Sequence, residues 1–208
     1  MSEVLHFVIK AAIIAPPILI AVILHEISHG WVADRLGDDT ARQAGRLTLN
    51  PIPHIDLFGS IILPAMLVVA GSPFVLGWAK PVPVNFLKLP NPKRDMIKVA
   101  VAGPATNIAL AIVGAIAAHL FLAAGHTLLA GLAGAFVQIN VVLAVFNLVP
   151  ILPLDGGRVL FGLLPREPAR AFARLEPYGM LIIMALLFTG TLSAILGPVT
   201  SFMIRTLL

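Results

Sequence analysis

Long apolar runs, separated by short polar segments, dominate the pattern along this chain of 208 residues. The runs cover residues 11–24, 57–76, 99–124, 128–149 and 178–196. A weaker last segment, 199–208, is interpreted as only the end of the chain and not as a further membrane segment. A membrane-spanning helix needs about 20 mostly apolar residues. The pattern therefore predicts an all-α membrane protein, a polytopic helical bundle of about 4–6 membrane segments. Pro16 and Pro17 interrupt the first run, so its helix is predicted to kink or begin there.

The composition agrees with this interpretation and excludes several classes of protein. Hydrophobic residues make up 59% of the chain, charged residues only 12%, and the mean hydropathy is +0.98. Soluble domains carry about 25% charged residues. A typical soluble domain, a disordered chain and a nucleic-acid-binding protein are therefore excluded. The chain has no cysteine, so it can form neither a disulfide nor a thiolate metal site.

Basic residues concentrate in three segments between the apolar runs. Twelve of the fourteen lie there: Arg35, Arg42, Arg46, Lys80, Lys88, Lys93, Arg94, Lys98, Arg158, Arg166, Arg170 and Arg174. The turn at residues 125–127 has no lysine or arginine. Because cytoplasmic loops carry an excess of basic residues, these three segments are predicted to lie in the cytosol and that turn outside.

The run 57–76 is unusual because basic segments flank both of its ends, and Pro64, Gly71 and Pro73 break it. It is predicted to be a re-entrant hairpin, with both ends on one side of the membrane. The alternative is a true span with one basic loop outside. Residues 46–49 alternate in polarity and residues 80–84 contain two prolines, so short membrane-associated β-strands are predicted beside the hairpin.

The sequence His25-Glu26-Ile27-Ser28-His29 is an HExxH motif at the end of the first apolar run. On a helix, the two histidines lie one turn apart on the same face, where both can reach one zinc ion. Glu26 lies near enough to take a proton from a water molecule that the metal activates. Polar residues facing water at a helix end are the alternative, but ionisable groups at membrane depth are costly and are usually functional.

A second motif follows the fourth apolar run, where Pro150 and Pro153 break the helix ahead of Asp155-Gly156-Gly157. Zinc accepts aspartate oxygen, and a catalytic zinc site has three protein ligands. His25, His29 and Asp155 form such a set. The predicted orientation brings both motifs to the cytosolic side, although an Asp-Gly-Gly turn by itself more often only caps a helix.

In these motifs the sequence resembles the site-2 protease family of intramembrane zinc metalloproteases, peptidase family M50. The resemblance rests on HExxH, on the stretch from Asn147 to Asp155, and on segments 102–107 and 50–56, and it extends over nearly the whole chain. It implies one zinc ion per chain on His25, His29 and Asp155, with Glu26 as general base. It also implies cleavage of peptide bonds in or near transmembrane segments of membrane-protein substrates.

The same resemblance suggests the compact bacterial and archaeal type. No inserted PDZ-like or CBS-like domain is evident, so residues 1–208 are predicted to form a single catalytic core. The expected partners are transmembrane protein substrates and the lipid bilayer. The expected location is a prokaryotic cell (inner) membrane, with the active site near the cytosolic face.

Three further polar residues are weaker candidates for substrate binding or support. His54 could lie near the zinc or hold a substrate, but a loop histidine that orders the hairpin entrance through Asp56 is favoured, since three ligands are already present. For Asn147, an interhelical hydrogen bond and a contact with the substrate backbone remain open. Asn107 follows Gly103 and Pro104 at the start of the third run, where close helix packing is favoured over catalysis.

Two rival functions share parts of this pattern. A metal transporter or metal-binding membrane protein would use the same ligands but would not need Glu26 beside them. A non-catalytic scaffold that binds transmembrane helices would not need His25, Glu26 and Asp155 together. Zinc and cleavage assays separate the three hypotheses.

Overall fold

The computed structural model describes residues 3–70 and 77–208, with side chains from residue 13 onward. The described residues are almost entirely helical. The α-helices are α1 (Glu3–Arg35), α2 (Thr40–Gln43), α3 (Leu63–Val69), α4 (Pro92–Ala123), α5 (Thr127–Asn147), α6 (Asp155–Leu163), α7 (Arg166–Ala173), α8 (Gly179–Phe188) and α9 (Thr191–Leu207). A π-helical segment (Leu57–Ile62) precedes α3, and 3-10 turns lie at Ile52–His54, Phe86–Lys88 and Glu176–Tyr178.

Four segments in the described part of the chain are long and apolar enough to cross a membrane: Ile13–Arg35, Pro92–Ala123, Thr127–Asn147 and Arg166–Phe188. Leu57–Val69 and Thr191–Leu207 are shorter apolar segments. The prediction of an all-helical bundle with several membrane segments is confirmed. The first helix does not begin at Pro16 and Pro17, because α1 continues from Glu3 through both prolines.

Helix α4 is the centre of the bundle and packs against α1, α5 and α6. Its contact with α5 is built from small and branched side chains, because Ala111 and Ala115 meet Val137 and Val141 in a fully buried cluster. Helix α9 covers this cluster with Met203 and other partly buried apolar residues. This packing holds α4 in place, and the HExxH turn of α1 packs against it.

The interpretation of residues 178–196 as one uninterrupted membrane segment is wrong. The chain turns at Gly190, whose φ is +72°, so α8 ends at Phe188 and α9 begins at Thr191. Glycine adopts this left-handed conformation at little cost because it has no β-carbon. Residues 199–208, interpreted as only an end, belong instead to the second half of α9.

The predicted β-strands are also wrong, since no strand forms within the described residues. Residues 77–85, called the crossing segment below, form neither a helix nor a strand. Pro81 and Pro83 have no N–H group. The N–H groups of Trp78, Lys80 and Val82 are already used, because they donate to Gly59 O, His54 O and the Glu26 carboxylate, respectively.

The last six residues of the predicted hairpin, 71–76, lie outside the described residues. Its two ends nevertheless lie side by side. Trp78 donates its N–H to Gly59 O at 3.1 Å, and the Ser60 hydroxyl donates to Trp78 O at 2.8 Å. The chain therefore leaves the site through Leu57–Ile62 and returns to the same place at Trp78.

Candidate active site

Three ligand-type side chains from two helices meet beside α4. His25 and His29 lie one turn apart on α1, and Asp155 is the first residue of α6. The two Nε2 atoms lie 3.0 Å apart. Asp155 Oδ2 lies 3.1 Å from His25 Nε2 and 3.3 Å from His29 Nε2. The structure thus brings together the three residues that the sequence identified as metal ligands.

The other nitrogen of each ring is held by α4. His25 Nδ1 lies 2.5 Å from Asn107 Oδ1, and His29 Nδ1 lies 2.7 Å from Val99 O. Both partners are acceptors, so each Nδ1 carries a proton and donates it. In the neutral rings both Nε2 atoms then have a free lone pair, which is the form of histidine that ligates a metal.

This arrangement fits a zinc ion. Asp155 Oδ2 is buried and has no hydrogen-bond donor, and it faces two lone pairs. Three such atoms repel one another unless a positive charge lies among them. A tetrahedral zinc ion with bonds of about 2.0–2.1 Å holds its ligand atoms about 3.4 Å apart, close to the observed separations. Gly103 keeps this space open, since a β-carbon there would lie 2.4 Å from His29 Nε2 and 2.5 Å from His25 Nε2.

The ionisation of Asp155 shows the same preference for a cation. Burial by itself raises the pKa of this carboxyl, but its contacts with His25 and His29 lower the pKa by more. The pKa falls to about 2. The surroundings of Asp155 therefore keep it in the carboxylate form, which is the form that can bind a metal.

Glu26 lies next to this cluster, at the edge of a cavity. Its Oε2 accepts the Val82 N–H at 2.8 Å, so the crossing segment holds the carboxylate in place. The cavity, of about 180 Å³, lies between α1, the crossing segment, α5 and α8, and both Glu26 and Asn147 line it. This volume is enough for several water molecules.

The three weaker candidates have different surroundings. Asn107 touches His25, whereas Asn147 lines the cavity and donates to Leu143 O at 2.9 Å. His54 is buried below the crossing segment, where its Nε2 lies 2.9 Å from Thr48 O. In the described part of the chain His54 does not belong to the metal-ligand group.

Sequence reasoning missed three groups of the site: the Val99 carbonyl, the Val82 N–H and the space at Gly103. The first two are backbone groups, which have no signature in the residue type. Gly103 was interpreted as a packing residue. Its spacing of four residues from both Val99 and Asn107 is the signal that could have found the whole face of α4.

Comparison with known proteins identifies the family. Residues 123–190 match the model of Peptidase family M50. The chain is 37% identical over 188 residues to "Putative zinc metalloprotease YwhC" of Bacillus subtilis. The matched residues make up 87% of this chain and 82% of that protein. It is 33% identical over 177 residues to Rip2 of Mycobacterium tuberculosis, which carries the same description, and this covers 84% of the chain and 66% of Rip2. No solved structure is significantly similar.

The chain belongs to peptidase family M50, the site-2 protease family. It is a zinc metalloprotease and a multi-pass membrane protein, and it acts on protein substrates. The cluster of His25, His29 and Asp155 is where its zinc can bind.

Proposed function

We propose that this M50 protein cleaves peptide bonds in or near the transmembrane segments of membrane-protein substrates, with residues 1–208 acting as one catalytic core. The observation that carries the proposal is the position of Glu26. Its carboxylate lies beside the three-ligand cluster, where the apolar run of α1 ends, and on a cavity large enough for water. A metal transporter would have no use for a proton acceptor at this point.

When bound, zinc supplies Lewis acidity that activates a water molecule and polarises a carbonyl. His25, His29 and Asp155 hold the ion. Glu26 takes the proton from the attacking water and later gives it to the leaving amine. The hydrogen bond from the Val82 N–H keeps the Glu26 carboxylate directed at the cavity between these events.

A substrate helix must unwind before it can be cut, because its carbonyls are used in its own hydrogen bonds. The crossing segment passes beside Glu26, where an unwound substrate can pair with its backbone by displacing the bond between Val82 and Glu26. A substrate carbonyl arriving there would compete with Glu26 for the Val82 N–H and would release the carboxylate toward the water. Asn147 also lines the cavity, and we propose that it binds the substrate backbone.

The membrane arrangement follows from the same contacts. The hydrogen bonds between Trp78 and residues 59–60 support a re-entrant hairpin for residues 57–76, because both of its ends lie at one place. In the sequence, basic segments follow both the HExxH motif and Asp155, which supports a cytosolic active site in a prokaryotic inner membrane.

Replacing Glu26 with glutamine tests the proposal. Glu26→Gln keeps the size of the side chain but removes the proton acceptor, so cleavage of a model transmembrane substrate should fall by about 10²–10⁴-fold. Zinc content should stay equal to that of the wild type, since Glu26 is not a ligand. Chelation of the wild-type protein should give the same loss of cleavage. Cleavage by Glu26→Gln at the wild-type rate would refute the role of Glu26, and uncut substrate with wild-type protein fully loaded with zinc would favour transport or scaffolding.

A further inference from the structure

Two buried asparagines connect the metal-ligand cluster to the middle of α5. Asn140 Nδ2 donates to Phe136 O at 2.9 Å, and Asn140 Oδ1 accepts a hydrogen bond from Asn107 Nδ2 at 2.9 Å. Asn107 Nδ2 also donates to Ala21 O at 3.3 Å, and Asn107 Oδ1 faces His25 Nδ1 at 2.5 Å. Both asparagines are fully buried, so water cannot replace any of these partners.

The direction of this chain of hydrogen bonds is fixed by its backbone ends. Phe136 O and Ala21 O can only accept, so each asparagine must turn its NH₂ group toward a carbonyl. The oxygen of Asn140 then faces Asn107, and the oxygen of Asn107 then faces His25. An oxygen at that position requires a proton on His25 Nδ1. The remaining nitrogen, Nε2, is left with its lone pair toward His29 and Asp155.

We infer that Asn107 and Asn140 are positioning residues for the metal site, and that Asn140 acts through Asn107 to hold His25 with Nε2 as its ligand atom. The inference rests on the proposed zinc site and adds two residues to it, Asn107 on α4 and Asn140 on α5. Without Asn140, the Asn107 amide can rotate and offer its NH₂ group to His25. The ring would then lose its acceptor at Nδ1, and the ligand atom would no longer be fixed.

Zinc affinity of the purified full chain in detergent, measured by competition with a chromophoric chelator, tests this inference. Loss of a group that orients a ligand typically costs 10–100-fold in metal affinity. We expect Asn107→Leu to fall in this range and Asn140→Leu to lose about 10-fold. The double variant should bind zinc no more weakly than Asn107→Leu alone, because Asn140 acts only through Asn107. Asn140→Asp keeps an oxygen toward Asn107 and should recover most of the loss.

Asn147→Leu is the matched control. It removes the same amide from the same helix, and its side chain likewise donates to the carbonyl four residues earlier, at Leu143. Within the described residues no hydrogen bond joins this amide to His25 or Asn107, so zinc affinity, the quantity compared here, should equal that of the wild type. Equal losses in Asn140→Leu and Asn147→Leu, or losses that add in the double variant, would overturn the inference and leave both asparagines with a packing role only.

A spectroscopic readout keeps the test decisive if the leucine variants do not fold. Nitrogen NMR of the zinc-loaded wild-type protein, labelled at histidine, should show zinc on Nε2 and a proton on Nδ1 of His25. Zinc on Nδ1 of His25 would overturn the inference directly. Failure of the wild-type protein to bind zinc would instead refute the proposed metal site itself, so the two failures are distinguishable.

Discussion

Replacing Gly103 with alanine should weaken zinc binding strongly without removing a ligand. The added β-carbon would lie 2.4 Å from His29 Nε2 and 2.5 Å from both Nε2 and Cε1 of His25. All of these atoms belong to ligand rings that are buried and held at Nδ1 by α4. The rings therefore cannot move aside without losing their partners on the same helix that carries the new methyl group.

The size of the effect follows from the distances. Ordinary contact of a β-carbon begins at 3.4 Å, so the rings and α4 must separate by about 1 Å. Zinc–ligand distances tolerate changes of only about 0.2 Å. A displacement of this size removes at least one histidine from coordination. We expect zinc affinity to fall by at least about 100-fold, which corresponds to about 2.7 kcal/mol.

Zinc titration of purified Gly103→Ala protein, with helix content followed by circular dichroism, measures this effect. Gly131→Ala is the control, because a β-carbon at this exposed position in α5 meets nothing within 4 Å. It should bind zinc normally and gain about 0.5–1 kcal/mol of stability from the better helix former. If Gly103→Ala binds zinc within threefold of the wild type, the ion does not bind at the cluster of His25, His29 and Asp155.

Two further substitutions test the surroundings of the site. Asp155→Ala should retain less than about a tenth of the wild-type zinc content, since a catalytic site has only three protein ligands. Chelation should lower the melting temperature of the wild type, which a ligand at 100 times its Kd stabilises by about 2.7 kcal/mol, and should leave that of Asp155→Ala unchanged. Gly179→Ala places a β-carbon 1.6 Å from Leu152 O and should lower the free energy of unfolding by about 1–3 kcal/mol. Thermal unfolding measures this change, and wild-type stability would show that the loop before Asp155 can move aside at little cost.

The central part of the site was predictable because it depends on short-range geometry. The spacing of His25 and His29 determines their common face as soon as the segment is helical. The prolines before Asp155 end α5 and start α6, and the alternation of apolar and basic segments indicates that both motifs reach one side of the membrane. Each inference needs only the helical repeat or the charge pattern, and neither depends on side-chain packing.

The errors arose where several structures satisfy the same local pattern. Residues 80–84 have the proline-rich backbone of an extended segment, but only the folded protein shows that Val82 bonds to Glu26 and Lys80 to His54 instead of to a strand. The apolar stretch 178–196 has no charged residue to reveal its break, and only Thr189 and Thr191 flank Gly190 there. Gly190 alone supplies the turn, and glycines also occur inside helices of this chain, so composition could not distinguish the two cases.

The face of α4 behind the histidines could have been predicted from the sequence, but only in part. Val99, Gly103 and Asn107 are spaced by four residues, so they lie on one face of α4. That face runs antiparallel to α1: Val99 O meets His29, Gly103 makes room for both rings, and Asn107 meets His25. Two hydrogen-bond acceptors, with an open space between them, recur at intervals of four residues on α4. This spacing matches two histidines one turn apart on α1. The same register that holds the ligand rings also leaves space between them for an ion, so a shift of α4 along α1 would remove both features at once.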